Sequence, residues 1–293
     1  MRVLVTGGTG FIGAPLCRAL RGAGHSVTVV TRDPAHAEGP AVGWDGVANA
    51  VAWSDAVVNL AGEPIAGHRW STARKQRIRD SRVQATQDLV DAVAAASKRP
   101  QVLVSASAVG YYGPHGDEPL DETAGPGTDF LAQVCQAWEQ EAERAEQRGI
   151  RVVRLRLGVV LAADGGALAQ MLPLFRAFLG GRLGGGRQWM SWIHRDDVTG
   201  LVVDTLADPR YTGAVNATAP TPVTNRDFTR ALGRVLARPT VLPAPAFALR
   251  LALGEMADML LTGQRVLPAA AERLGYRFRY RDLEPALRAS ARR

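Results

Sequence analysis

The first thirteen residues, MRVLVTGGTGFIG, limit the fold more than any other stretch of this chain. The apolar run Val3 to Thr6 has the length and branching of a buried strand, and it ends abruptly in glycines at 7, 8, 10 and 13. From Phe11 the pattern is that of an amphipathic helix, predicted to run to Ala23 and stopped by Gly24. A strand that feeds a helix through bare residues makes a turn that lets backbone come close to a neighbour, which a side chain would prevent.

Gly7, Gly10 and Gly13 stand in GxxGxxG spacing. Two readings compete: an ordinary glycine-rich turn, and a cradle in which backbone N–H groups and the positive end of a helix meet a pyrophosphate. The strand before and the helix after favour the cradle. It would bind a dinucleotide through Gly7, Gly10, Phe11, Ile12 and Gly13.

The second strand, predicted over Val27 to Thr31, bears on which dinucleotide. Where NAD is preferred, an acidic residue at this strand end accepts a hydrogen bond from the adenosine ribose 2′-hydroxyl. HSVTVVTRDP places Thr31 there with Arg32 beside it, and a guanidinium suits a 2′-phosphate that a carboxylate would repel. Asp33 precedes Pro34 and reads as a turn residue. NADP(H) is the expected cofactor, with NAD(H) as the alternative.

Strands continue to alternate with helices: a strand over Asp55 to Leu60, a helix over Trp70 to Ser97, a strand over Val102 to Ala106, a helix over Asp129 to Arg148 and a strand over Arg151 to Leu157. This rhythm predicts an α/β fold, a Rossmann-type doubly wound parallel sheet. Beyond residue 158 it loosens into LGGRLGGGRQ, APTPVT and LPAPAF, and a smaller C-terminal α/β lobe is expected. The expected division is a dinucleotide-binding domain over 1–160, sharing its core with parts of 190–220, and a substrate-side lobe over 161–293 that includes 240–290. Phe247, Leu251, Met256 and Leu260 fall near helical spacing and predict a core-facing helix over Phe247 to Leu261. The segment YRFRYRDLEPAL is expected to close one side of a pocket between the lobes.

Composition narrows the classes. Of 35 basic residues only Lys75 and Lys98 are lysines, and the arginines are dispersed, so the net charge of +7 predicts a solvated surface and no nucleic-acid partner. No apolar run reaches the roughly 18 residues of a membrane span. Cys17 and Cys135 lie in apolar helical patterns without metal-ligand spacing. A cytoplasmic protein acting on a small molecule, as monomer or homodimer, is expected, with no metal. The helix Arg69 to Arg82 is locally basic: Arg74, Ile78 and Arg82 fall on one face with Lys75 and Arg79 beside it, so Lys75 and Arg82 are candidates for a substrate or anion contact, the competing reading being a solvated face.

The opening motif resembles the extended, epimerase-like branch of the short-chain dehydrogenase/reductase superfamily. DAVVNLAG is similar to the strand that in this branch passes the adenine and the nicotinamide-side ribose, which implies cofactor contacts at Asn59, Leu60, Ala61 and Gly62. SRVQATQDLV resembles a helix motif in which Arg82 stands where Asn is usual. VLVSASAVGYYG matches the strand carrying the active-site serine, which implies a cofactor contact at Ser105 and a catalytic role for Ser107, with one additional residue before Tyr112 and Gly113. SWIHRDDV resembles the IHVDDV segment; His194 is either catalytic or merely packed, with Asp196 or Asp197 capping the next helix. The Tyr and Lys that the superfamily sets four apart on the following helix are absent from DFLAQVCQAWEQEAERAEQR, where Leu131 and Cys135, or Phe130 and Val134, occupy those places. That departure, with GEPIAGHRWSTARKQRIRDSRVQAT, GTDFLAQVCQAWEQEAE and the tail from Pro243, identifies the chain as a member of the atypical short-chain dehydrogenases of the YfcH-like epimerase family. The resemblance implies an NAD(P)-dependent oxidoreductase or epimerase acting on a small carbonyl or sugar-like substrate, or a non-catalytic NADP(H)-sensing regulator. Ser107 with Tyr112 or His194 as proton donor is the expected chemistry, and reduction is expected to be easier than oxidation.

Overall fold

The computed structural model describes residues 1–67 and 69–291; His68, Arg292 and Arg293 lie outside the described residues. Five strands open the chain, β1 (Arg2–Thr6), β2 (Ser26–Val30), β3 (Ala41–Val42), β4 (Ala56–Asn59) and β5 (Val102–Ala108). Four helices accompany them, α1 (Gly13–Gly22), α2 (Val47–Trp53), α3 (Thr72–Ala95) and α4 (Phe130–Glu143). With the strands Arg151–Leu157 and Gly213–Ala217 they form one seven-stranded parallel sheet, ordered β3, β2, β1, β4, β5, Arg151–Leu157, Gly213–Ala217. The order reverses at β1, so the crevice beyond its carboxyl end is the place where such sheets take ligands.

The strands are apolar on both faces because both are covered. Val3, Val5, Val27, Val29, Val58 and Val104 pack under α1 and the helix Arg195–Ala207, and Leu4, Val30, Val57 and Leu103 pack under α2 and α3. Side-chain caps fix two helix starts: Ser71 accepts from the Arg74 N–H, and Asp129 from the Ala132 N–H. The second lobe has a core of its own, in which Trp192, Phe175, Phe228 and Leu287 are buried together. Short strand pairs organise it, Val159–Leu161 with Trp192–His194 and Trp189–Met190 with Val223–Thr224.

One expectation about the C-terminal region is overturned. The helix expected over Phe247 to Leu261 is two helices, Ala246–Leu253 and Met256–Leu261, broken at Gly254, whose φ is +61°. Met256 is buried, but Phe247 and Leu251 are exposed, because the break turns the first helix outward. The tail is tied to the rest of the chain: Asp197 accepts the backbone N–H groups of Arg279 and Tyr280, and Phe278 is buried in the main core.

Two glycines of the turn after β1 differ in how closely backbone packs on them. A Cβ at Gly13 would stand 2.7 Å from the Gly8 Cα and against the Gly7 carbonyl, whereas one at Gly10 would meet only the Gly7 carbonyl oxygen, at 3.2 Å. Gly13→Ala is therefore expected to cost about 3 kcal/mol and lower the melting temperature by roughly 6–10 °C. Gly10→Ala should shift it by less than about 2 °C, and calorimetric melting of both variants checks the contrast.

Candidate functional site

At the end of β1 the chain turns with Gly7 at φ +67°, and the Gly7 carbonyl accepts the Gly10 N–H at 3.0 Å. The Gly7 Cα lies so near the Leu60 carbonyl that a Cβ would stand 2.6 Å from its oxygen. Helix α1 then begins without a side-chain cap and with no acidic residue in its first turn. The N–H groups of Phe11 and Ile12 have no acceptor among the described residues. Uncapped donors at the start of a helix, beside bare backbone, have the charge and geometry that attract an anion. The Phe11 ring is wedged between Gly165 and Gly166 on one side and the Arg195 guanidinium, 5.0 Å from its centroid, on the other. Arg195 also donates to the Phe11 carbonyl at 3.3 Å and to Asp164 at 2.6 Å, tying the glycine turn to the second lobe.

Thr31 and Arg32 follow the end of β2. The Thr31 hydroxyl accepts the Asp33 N–H at 3.3 Å, and the Asp33 carboxylate pairs with His36 at 2.8 Å, so Asp33 is engaged within its own turn. Arg32 is exposed and has no ion-pair partner among the described residues.

Beneath the crevice Asn59 joins three strands and a helix. It accepts the Thr6 hydroxyl proton at 2.6 Å and donates to Thr86 at 2.8 Å and to Ser105 at 3.3 Å. The Trp138 indole N–H reaches the same Thr86 oxygen at 2.9 Å. Asn59 and Ser105 are buried and spend their side chains inside the protein, while Leu60, Ala61 and Gly62 present backbone along the crevice. Arg82 is buried behind Gly62, and Lys75 pairs with Glu255 at 2.5 Å across the mouth of the second lobe, so the two do not converge.

Ser107, Tyr112 and His194 do not converge either. Ser107 donates to the Glu139 carboxylate at 2.6 Å, and Glu139 is held by Arg156 through two bonds of 2.8 and 2.9 Å. Arg156 donates onward to the Tyr112 hydroxyl at 3.0 Å, which in turn donates to Asn216 at 2.7 Å. Burial pushes the Tyr112 phenol up to about 12, against the pull of Arg156. His194 stands at the start of the helix Arg195–Ala207, where its Nδ1 accepts the Asp196 N–H at 3.1 Å and its ring lies on Tyr280, 4.1 Å between centroids. On α4 one of the two candidate pairs of places for the missing Tyr and Lys, Leu131 and Cys135, is covered: a Cβ on Gly110 would stand 3.5 Å from Leu131 and 3.8 Å from Cys135.

Sequence reasoning missed Glu139 and Arg156. Glu139 falls on the α4 face of Leu131 and Cys135, two turns and one turn on, and the arginines in VVRLRL alternate within an apolar strand; each pattern marks a charge on a buried face, and neither names the other as its partner. Glu139→Ala would leave Arg156 charged, buried and unpaired. It is expected to cost about 3–5 kcal/mol, read by denaturant unfolding; a change below about 1 kcal/mol contradicts the buried pair.

The NAD dependent epimerase/dehydratase family model matches residues 3–216, and a domain of unknown function, DUF1731, matches residues 244–290. The chain is 47% identical over 301 residues to an SDR39U1 homolog, a chloroplastic epimerase family protein of Arabidopsis thaliana, covering 99% of this chain and 86% of that one. It is 47% identical over 292 residues to the epimerase family protein Mb2239 of Mycobacterium bovis, covering 97% and 96%. Among solved structures, the human epimerase family protein SDR39U1 with NADPH superposes with a TM-score of 0.92 at 36% identity, over 100% of this chain and 99% of that one. A nucleoside-diphosphate sugar epimerase from Corynebacterium glutamicum superposes with a TM-score of 0.80 at 36% identity, over 99% of this chain and 58% of that one. Strand order, glycine turn, C-terminal lobe and full-length likeness agree, and the chain belongs to the NAD dependent epimerase/dehydratase family, in its SDR39U1-like, DUF1731-bearing branch.

Proposed function

We propose that this chain binds NADP(H) in the crevice over β1 and acts as an NADP(H)-dependent oxidoreductase or epimerase on a small carbonyl or sugar-like substrate. The observation that carries the reading is the bare cradle at Gly7 to Gly13, with the Phe11 and Ile12 N–H groups unspent among the described residues. The preference for the 2′-phosphate rests on Arg32, exposed and unpaired among the described residues, and on Asp33 being engaged by His36. The NADPH in the human relative supports it.

Bound NADP(H) supplies or accepts the hydride. The chain's own groups set what proton chemistry accompanies it. Because the Ser107 proton goes to Glu139, its oxygen offers only lone pairs to a substrate and suits an O–H or N–H donor. Tyr112 stays protonated at neutral pH and is no base; it stands at the far end of the chain Ser107, Glu139, Arg156, Tyr112. With its proton pointed at Asn216, its part in catalysis is to hold Arg156 and through it Glu139 and Ser107. An acceptor at Ser107 fits the hydroxyl form of a substrate: the substrate O–H proton would pass to Ser107 as Ser107 gives its own to Glu139, and the same relay run in reverse would accompany reduction.

A second reading is favoured by one observation, that Ser107, Tyr112 and His194 are all buried and bonded within the protein. A chain that holds NADP(H) without turning it over would act as a redox-sensing regulator.

Two measurements follow. Arg32→Ala should weaken NADPH roughly ten- to a hundredfold by calorimetry and leave NADH nearly unchanged; equal NADPH affinity in both proteins overturns the assignment. Nicotinamide absorbance should change when NADP+ is mixed with a panel of sugar alcohols, nucleotide sugars and hydroxy acids, and Ser107→Ala should lose at least about 90% of any rate found. Tight NADP(H) binding with no turnover of alcohols or carbonyls would replace the enzyme with the regulator.

A further inference from the structure

Arg82 is a cation buried without a carboxylate partner. Its side chain leaves α3 and is 8% exposed. One terminal nitrogen donates to the Ile78 carbonyl at 2.9 Å and, at 3.4 Å, to the Ser81 hydroxyl, and the other donates to the Glu63 carbonyl at 2.9 Å. The remaining donors of the guanidinium fork have no acceptor among the described residues. Glu63 lends Arg82 only its backbone oxygen, because its carboxylate is bound to Arg74 at 2.6 Å. The guanidinium lies over the Trp138 ring, 5.3 Å from the centroid, and the Trp138 N–H is pinned by Thr86. A Cβ at Gly62 would stand 3.2 Å from its Cζ, so bare backbone brings the crevice down onto the charge.

Such a group is expensive to bury unless an anion or a set of oxygen acceptors completes it. Its place says which. The Gly7 turn touches the Leu60 carbonyl and the Ala61 nitrogen, and Gly62, next along that loop, touches Arg82. Arg32 follows β2, on the other side of β1 from β4. A dinucleotide crossing the end of β1 with its 2′-phosphate at Arg32 therefore directs its nicotinamide half toward Gly62 and Arg82. Trp138 belongs to α4, the helix from which the superfamily's lysine is missing, so the guanidinium lies against that helix.

Resting on the NADP(H) reading, we propose that Arg82 binds the nicotinamide-side ribose and its phosphate, supplying from α3 the positive charge that α4 lacks. The preorganised fork, stacked on Trp138, presents donors to ribose oxygens and a charge to the phosphate without having to be reoriented.

Calorimetric titration with two ligands separates this from the parent reading. NADP+ carries both halves, whereas 2′,5′-ADP lacks the nicotinamide ribose. Arg82→Met should weaken NADP+ by about tenfold or more while leaving 2′,5′-ADP within about twofold of wild type, and Arg82→Lys should recover part of the loss. Arg32→Ala should weaken both ligands. Wild-type affinity of Arg82→Met for NADP+, or equal loss of both ligands together with a lowered melting temperature, overturns the role of Arg82. Failure of the wild-type protein to bind either ligand overturns the NADP(H) reading itself. If Arg82→Met does not fold, Arg82→Gln, which keeps a donor for the Glu63 carbonyl, carries the same comparison.

Discussion

The contact between the Gly7 turn and the Leu60 carbonyl is the constraint on which the crevice depends. A Cβ at Gly7 has no room, the Gly7 carbonyl is in turn covered by Gly13, and α1 starts where it does because of that stacking. Three segments, the ends of β1 and β4 and the start of α1, are thereby held at backbone distance. The result is a surface made of N–H groups and carbonyls, with side chains excluded by close packing. Phe11, clamped by Arg195 and the two glycines at 165 and 166, transmits the same constraint to the second lobe, so the two parts of the chain share one edge.

Under that edge the side chains are committed to one another. Asn59 and Ser105 share a network with Thr6, Thr86 and Trp138, and Ser107 and Tyr112 are the two ends of a chain through Glu139 and Arg156. Buried polar groups satisfied in this way are rigid, because releasing one leaves another unpaired in a low-dielectric interior. The turn Val109–Tyr112 completes the arrangement by laying Gly110 on Leu131 and Cys135. A tyrosine there would have to displace that turn, which gives a packing reason for the apolar α4 face. The serine is retained, but its proton partner comes from one turn further along the same helix face.

The parts of this molecule that were legible in the sequence are those governed by local chemistry. Glycine spacing between a strand and a helix announced the cradle, and alternating apolar runs announced the parallel sheet, five of its seven strands falling within a residue or two of expectation while Ala41–Val42 and Gly213–Ala217 went unread. The groups that long-range packing decides were not legible. Nothing near Arg156 in sequence says that it meets Glu139, seventeen residues back on α4, and nothing in the spacing of Asn59 says that its amide is consumed by Thr86. The helix around Phe247 was misread because its period was followed across Gly254, where the backbone takes a positive φ and the apolar face changes direction. Arg82 was flagged for its charge and its place in a motif, but its value lies in what is absent around it, the carboxylate that a buried cation ordinarily keeps.

The central claim is that bare backbone after β1, and not the buried side chains below it, is what the cofactor meets. Amide hydrogen exchange with and without saturating NADPH tests it directly. The account predicts fast exchange at Phe11 and Ile12 in the free protein, strong protection of both on adding NADPH, and no change at Asn216 within the sheet. Unaltered exchange at Phe11 and Ile12 with NADPH bound would contradict it.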